Sequence, residues 1–271
     1  MMINQIMELQ MEKIESLQNS RVKEWTKLKT KKGRKKQNSY LLEGWHLVKE
    51  ALLAQADLAV ILMTVDFKKE ASLAELLKKS NCSAETIQIS TAVEKKISDT
   101  NSPQGIFAVA AITPNFLQVP KNLAGKWLLL DNIQDPGNLG TMVRTADAAG
   151  FTGVILGKKT VDLFQPKVTR SMQGSQFHLR LIQGDLNDWI KDFKKQAIPV
   201  YGTKVDALAV DYRKVKKTSQ FALVMGNEGN GVAPEILQQT TQNLYIPLDG
   251  QAESLNVAVA AGILMFALVN K

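Results

Sequence analysis

From residue 126 onward, apolar positions fall into short dense runs separated by polar, glycine-bearing loops. Lys126 to Asp131, Val154 to Gly157, Pro199 to Thr203, Phe221 to Gly226 and Leu244 to Pro247 each read as a buried strand, because a strand covered on both faces shows no polar alternation. Helical patterns lie between them: up to Gly150 after the first strand, over Pro166 to Gln173, and over Gly184 to Lys195. An apolar helix begins near Ser254, which is placed to cap it. Gly174 and Ser175 offer small residues for a pocket. The recurring strand, loop and helix predict an open α/β sheet, mainly parallel, with its loops gathered at one edge, where ligands bind.

The earlier part of the chain repeats the alternation on a smaller scale. Strands are predicted over Ser39 to Glu43, Leu58 to Thr64, Thr86 to Ser90 and Gly105 to Ile112, with helices over Gly44 to Leu53, Ser72 to Lys79 and Val93 to Ile97. That is a small α/β sandwich. Ahead of it, Ile14, Leu17, Val22, Trp25 and Leu28 form an imperfect apolar stripe that predicts one helix from Glu12 to Leu28. The dense charge and Gly33 in Lys29 to Lys36 predict a loop. The resulting division is an N-terminal extension over 1–19, a first domain over 20–112, a linker over 113–125 holding Pro114 and Pro120, and a second domain over 126–271. Residues 1–10 are expected to be dispensable, since Met11 begins a second plausible start.

Composition changes this picture in two respects. The 271 residues carry a formal charge of +8, which points to an anionic partner, and its distribution favours nucleic acid over a membrane. Arg21, Lys23, Lys27, Lys29, Lys31, Lys32, Arg34, Lys35 and Lys36 face only Glu24 between positions 21 and 36. The second respect is what is scarce. Cys82 is the only cysteine, which excludes an internal disulfide, and His46 and His178 are the only histidines, neither at metal-ligand spacing. No metal is expected. The longest apolar run, Val257 to Val269, is shorter than the roughly 20 residues of a membrane span. No membrane partner is expected, and the chain reads as cytoplasmic.

Three stretches carry candidate chemistry. Asp131 to Gly150 holds Asn138 and Arg144 on a strand-to-helix turn; Phe221 to Gly231 runs a buried strand into Gly226-Asn-Glu-Gly-Asn-Gly231; Ile246 to Asn256 precedes the last helix. Glycines at 226, 229 and 231 allow backbone to approach a ligand closely. Glu228, a lone carboxylate among them, needs a partner, and Arg144 is the candidate. The glycines lack the order of a dinucleotide fingerprint, and no phosphate loop is present.

In this order and with these residues, the three stretches resemble the signature motifs of the SpoU/TrmH-type branch of the SPOUT methyltransferases. The resemblance covers roughly 126 to 271 closely and is looser in the first domain, where Leu41-Leu-Glu-Gly44 and Gln104-Gly105 are similar to the family's RNA-binding domain. It implies transfer of a methyl group from S-adenosylmethionine to a ribose 2′-hydroxyl in RNA, ribosomal RNA first and tRNA second. It also implies a knotted (trefoil) catalytic domain and a homodimer. By resemblance, the donor sits against Thr203, Met225, Gly226, Gly229, Ile246, Leu248 and Leu255. Arg144 is implied to act on the acceptor hydroxyl, with Asn138, Glu228, Ser254 and Asn256 around it. Chemistry leaves the role of Arg144 open, as base or as electrostatic stabiliser, since a guanidinium stays protonated. Arg21, Lys23, Lys27, Lys31, Lys32, Arg34, Lys35 and Lys36 are the expected RNA contacts. The rival reading is a non-catalytic RNA-binding protein that keeps the fold; a resistance methyltransferase acting on ribosomal RNA is a third.

Overall fold

A computed structural model describes residues 11–112, 120–204 and 208–269. The expected dispensable stretch 1–10 and the start of the expected linker, 113–119, lie outside the described residues. The strands are β1 (Glu12–Ile14), β2 (Ser39–Glu43), β3 (Leu58–Thr64), β4 (Glu85–Ile89), β5 (Ile106–Ala111), β6 (Lys126–Leu130), β7 (Gly153–Gly157), β8 (Arg180–Gly184), β9 (Val200–Thr203), β10 (Val210–Asp211), β11 (Phe221–Met225) and β12 (Gln242–Tyr245). The α-helices are α1 (Ser20–Lys27), α2 (Lys31–Gln37), α3 (Trp45–Leu53), α4 (Glu70–Ser80), α5 (Thr91–Ile97), α6 (Pro136–Ala148), α7 (Pro166–Met172), α8 (Leu186–Lys195), α9 (Pro234–Leu237) and α10 (Val257–Leu268). They form two compact units.

The first unit holds a five-stranded mixed sheet in the order β1-β4-β3-β5-β2. Two expectations fail here. The helix expected from Glu12 to Leu28 is only α1; Glu12–Ile14 is instead an edge strand running parallel to β4, with buried Ile14 opposite Ile89. Asn19 starts α1 by accepting the Arg21 N–H, so the preceding residues turn away from the helix. The basic run expected as a loop is largely helix α2, capped by Thr30, whose hydroxyl accepts the Gly33 N–H at 3.1 Å. A methyl on Gly33 would overlap the Lys27 carbonyl, so glycine serves close helix packing here and does not break the chain.

Phe164–Phe177, with α7, packs with this first unit although it lies far along the chain. The Phe164 ring packs tilted at 43° against buried Tyr40, with centroids 4.8 Å apart, and Arg170 reaches Asp99 at 2.8 Å. Gly174 (φ +93°) presses on the Glu50 side chain. It and Ser175 do not line the cavity described below, contrary to expectation.

The second unit is a seven-stranded sheet, β10-β12-β9-β11-β6-β7-β8, parallel throughout. Buried Trp127, Leu129, Ile155, Ala222 and Val224 meet Trp189, Ile190 and Phe193 of α8. α10 packs against α6. Parallel pairing sends the loops after β6, β9, β11 and β12 to one edge of this sheet.

Candidate active site

The segments that follow β9, β11 and β12 enclose a cavity of about 720 Å³. Its walls include all seven residues expected at the donor: Thr203, Met225, Gly226, Gly229, Ile246, Leu248 and Leu255. The chain brings them together from three strand ends. Thr203 donates its hydroxyl to the Val224 carbonyl at 3.0 Å, tying β9 to β11 at the floor. Gly226 starts the next loop so tightly that a methyl there would overlap the backbone of Gly231 and Val232. The loop closes on itself through reciprocal bonds between Asn227 and Gly231, each 2.9 Å.

Glu228 also lines the cavity. Its carboxylate accepts the Asp135 N–H at 2.9 Å, the Gln134 N–H at 3.1 Å and the Asn138 side-chain amide at 3.2 Å. Burial pushes this carboxyl up, but the Asp135 N–H and the Asn138 amide outweigh it and leave Glu228 below the usual carboxylate range. Gln134 and Asp135 give their N–H groups from just ahead of α6, and Asn138 gives its side-chain amide from the helix's first turn. Arg144 is not among them. It sits six residues beyond Asn138 on α6, a rotation of about 120° around the helix, and is exposed. The pairing with Glu228 expected from sequence is thus replaced by neutral donors.

Asn256 links the third loop to the same cluster, donating its amide to Asn138 Oδ1 at 3.0 Å. It also caps α10, accepting N–H groups of Ala258 and Val259 at 2.9 and 3.3 Å. The expected cap, Ser254, lies exposed in the loop two residues earlier and lines the cavity instead. Of the expected catalytic set, Asn138, Glu228 and Asn256 form one hydrogen-bonded group, Ser254 stands on the cavity wall, and Arg144 stands apart. Sequence reading missed Asn132, Gln134 and Asn227, which knit the loops; the left-handed conformation of Asn132 (φ +57°) is signalled only by its being an asparagine at a strand end.

The expected RNA contacts of the first unit separate into two classes. Arg21 pairs with Glu85 at 2.5 Å and Glu12 at 3.0 Å, Lys27 pairs with Glu24 at 2.5 Å, and Arg34 is buried, donating to the Leu28 carbonyl at 2.7 Å. Arg21 and Arg34 tie α1 to β1, β4 and α2, whereas the Lys27 pair lies within α1 and Lys27 is exposed. Lys23, Lys31, Lys32, Lys35 and Lys36 are exposed. The four on α2 occupy positions i, i+1, i+4 and i+5, an arc of about 140° on one helix face. Among the described residues no helix is long and apolar enough to cross a membrane.

Comparison with known proteins gives the same picture over both units. Residues 126–266 match the SpoU rRNA Methylase family, and residues 19–108 match the MRM3-like substrate binding domain. The chain is 43% identical to a 23S rRNA (guanosine(2553)-2′-O)-methyltransferase of Bacillus subtilis, over 95% of this chain and 99% of that one. Among solved structures it resembles an AdoMet-bound rRNA methyltransferase from Sinorhizobium meliloti, with a TM-score of 0.84 at 30% identity over 96% of this chain and 97% of the other. It also resembles the SpoU methyltransferase AviRb from Streptomyces viridochromogenes in complex with AdoMet, with a TM-score of 0.80 at 26% identity over 92% and 97%.

Proposed function

The chain belongs to the SpoU rRNA methylase family, and from that premise we propose that it methylates a ribose 2′-hydroxyl of structured ribosomal RNA, using S-adenosylmethionine. One observation carries the reading: the cavity and the Glu228, Asn138 and Asn256 cluster are built by the same loop edge, so a donor and an acceptor site share a wall. The residues suit the donor. Ile246, Leu248 and Leu255 offer apolar surface to a flat adenine, and Gly226, Gly229 and Gly231 bring backbone to the cavity with no side chain of their own.

S-adenosylmethionine supplies an electrophilic methyl group on a sulfonium that is its own leaving group. The protein's task is then to align an oxygen and to manage its charge and proton. The guanidinium of Arg144 is suited to stabilise negative charge developing on the acceptor oxygen or to hold a neighbouring phosphate, and a guanidinium is a poor base for taking the proton. Asn138 and Asn256 orient each other, and Glu228 is ionised at neutral pH. Calorimetry should show S-adenosylmethionine binding that survives a chelator; metal-dependent binding, or no binding, would refute this reading.

The exposed lysines of α2 are read as an anchor for RNA phosphates. Replacing Lys31, Lys32, Lys35 and Lys36 by glutamine should weaken RNA binding and flatten its salt dependence, by up to about 0.7 to 0.9 in log slope for each phosphate no longer neutralised. Removing Arg21 or Arg34 should instead lower stability. An unchanged slope in the lysine variant would leave that face merely solvated.

Family membership also supports a homodimer with a trefoil-knotted catalytic unit. α10 is apolar around its whole circumference: Ala261, Leu264 and Met265 are buried, while Val259 and Phe266, seven residues apart on one face, are 53% and 52% exposed. A helix apolar on all sides calls for cover on all sides, and a second copy supplies it. Sedimentation that finds only monomer at micromolar concentration would count against this. Action on ribosomal RNA implies a cytoplasmic protein.

A further inference from the structure

We propose that Asn227 is a positioning residue that locks the donor cavity and the Glu228 cluster into one register; the proposal rests on the reading of the cavity as a methyl-donor site. Asn227 lies where the two loops meet and uses both ends of its side chain. Its amide nitrogen donates to the Asn132 carbonyl at 2.9 Å, across to the loop that follows β6. Its carbonyl oxygen accepts the N–H groups of Gly229 and Asn230, each at 3.0 Å, and so shapes the glycine loop that walls the cavity.

The consequence is mechanical. The loop after β6 supplies the N–H groups of Gln134 and Asp135 to Glu228, while Glu228 itself rides on the loop that Asn227 folds. Two further links brace the arrangement: the Asp131 carboxylate accepts the Ala233 N–H at 2.8 Å, and Gln134 donates its side-chain amide to Asn132 Oδ1 and to the Lys159 carbonyl, each at 2.7 Å. Asn227 joins the cavity wall to the carboxylate's donors through a single side chain. Asn132 meets it in a left-handed backbone conformation (φ +57°), which aims that carbonyl at the amide.

Two substitutions separate this role from general support of the fold. Asn227→Ala removes both ends, and donor affinity and the single-turnover transfer rate should each fall by about tenfold, the size of one or two lost hydrogen bonds. Asn227→Asp keeps the acceptor but loses the donor. The ionisable groups on the elements packed round position 227 are Glu228 on its own loop, Asp131 and Asp135 on the facing loop, and Lys158 and Lys159 on the turn beyond. A new carboxylate there faces the Asn132 carbonyl and lies beside Glu228, whose Oε2 is 3.4 Å from the present amide nitrogen. At neutral pH the aspartate variant should be at least as impaired as the alanine one. As pH falls, its carboxyl, which Glu228 raises and the Gly229 and Asn230 N–H groups lower, gains a proton that can be donated to Asn132. Donor affinity relative to wild type should then recover by severalfold.

Donor binding by calorimetry from neutral pH downward, with circular dichroism to verify folding, decides the matter. Wild-type affinity and rate in a folded alanine variant would overturn the proposal, as would an aspartate variant whose ratio to wild type does not change with pH. If the alanine variant does not fold, the aspartate profile alone decides. Wild-type protein that fails to bind S-adenosylmethionine would overturn the donor-site reading and this proposal together, whereas wild-type binding with unaffected variants overturns only the role of Asn227.

Discussion

Replacing Arg144 by alanine should slow methyl transfer by about 10²- to 10³-fold while leaving donor affinity nearly unchanged, the loss usual for one oriented contact made in the transition state. The separation follows from position. Arg144 is exposed and is absent from the cavity walls, so its loss should not disturb the donor, and Glu228 keeps its N–H and amide donors without it. Arg144→Lys retains the charge and loses the planar fork. Partial activity in that variant would favour electrostatic stabilisation of the acceptor oxygen; complete loss would favour bidentate grip of a phosphate. Single-turnover transfer alongside calorimetry checks both, and an alanine variant that methylates at the wild-type rate would remove Arg144 from the active site.

Gly226→Ala should have the opposite signature, with donor binding as the first casualty. The added methyl has no free space: it meets the backbone of Gly231 and Val232, which cannot rotate aside as a long side chain would. Overpacking of this kind costs about 1 to 3 kcal/mol, and here the strain falls on the loop that walls the cavity. Donor affinity should drop by about 10- to 100-fold. Gly231→Ala is the informative comparison, because a methyl there meets nothing within 4 Å and the cost is confined to its positive φ of +67°. Equal affinities for wild type and Gly226→Ala would mean that the tight turn does not shape the donor site.

Much of this architecture is legible in the chain alone. The buried strands at Lys126–Leu130, Gly153–Gly157 and Phe221–Met225 announce themselves as unbroken apolar runs, because both of their faces are covered. The seven residues expected at the donor follow from the motif resemblance, since glycines and apolar residues at strand ends serve core packing equally well. Short or atypical elements are less so. Strand β8 escapes a reading by apolar pattern because Arg180 and Gln183 interrupt it, and β10 is only two residues long.

The misreadings have a common origin. Gly33 looks like a helix breaker until the Lys27 carbonyl is found against it, and Arg34 looks like a surface cation until it is found buried on the Leu28 carbonyl. Ser254 and Asn256 are equally good caps by composition; only the position of Asn138, 118 residues earlier, selects Asn256. Opposite charge suggests an arginine as the partner of Glu228, yet the backbone just ahead of α6 and the Asn138 amide reach it with uncharged donors. Periodicity and residue chemistry are local, and they specify which segments are strands, which are helices and which loops can approach a ligand. Which donor meets which acceptor across a hundred residues depends on how the sheet brings its strand ends together, and that geometry arises only when the whole unit packs.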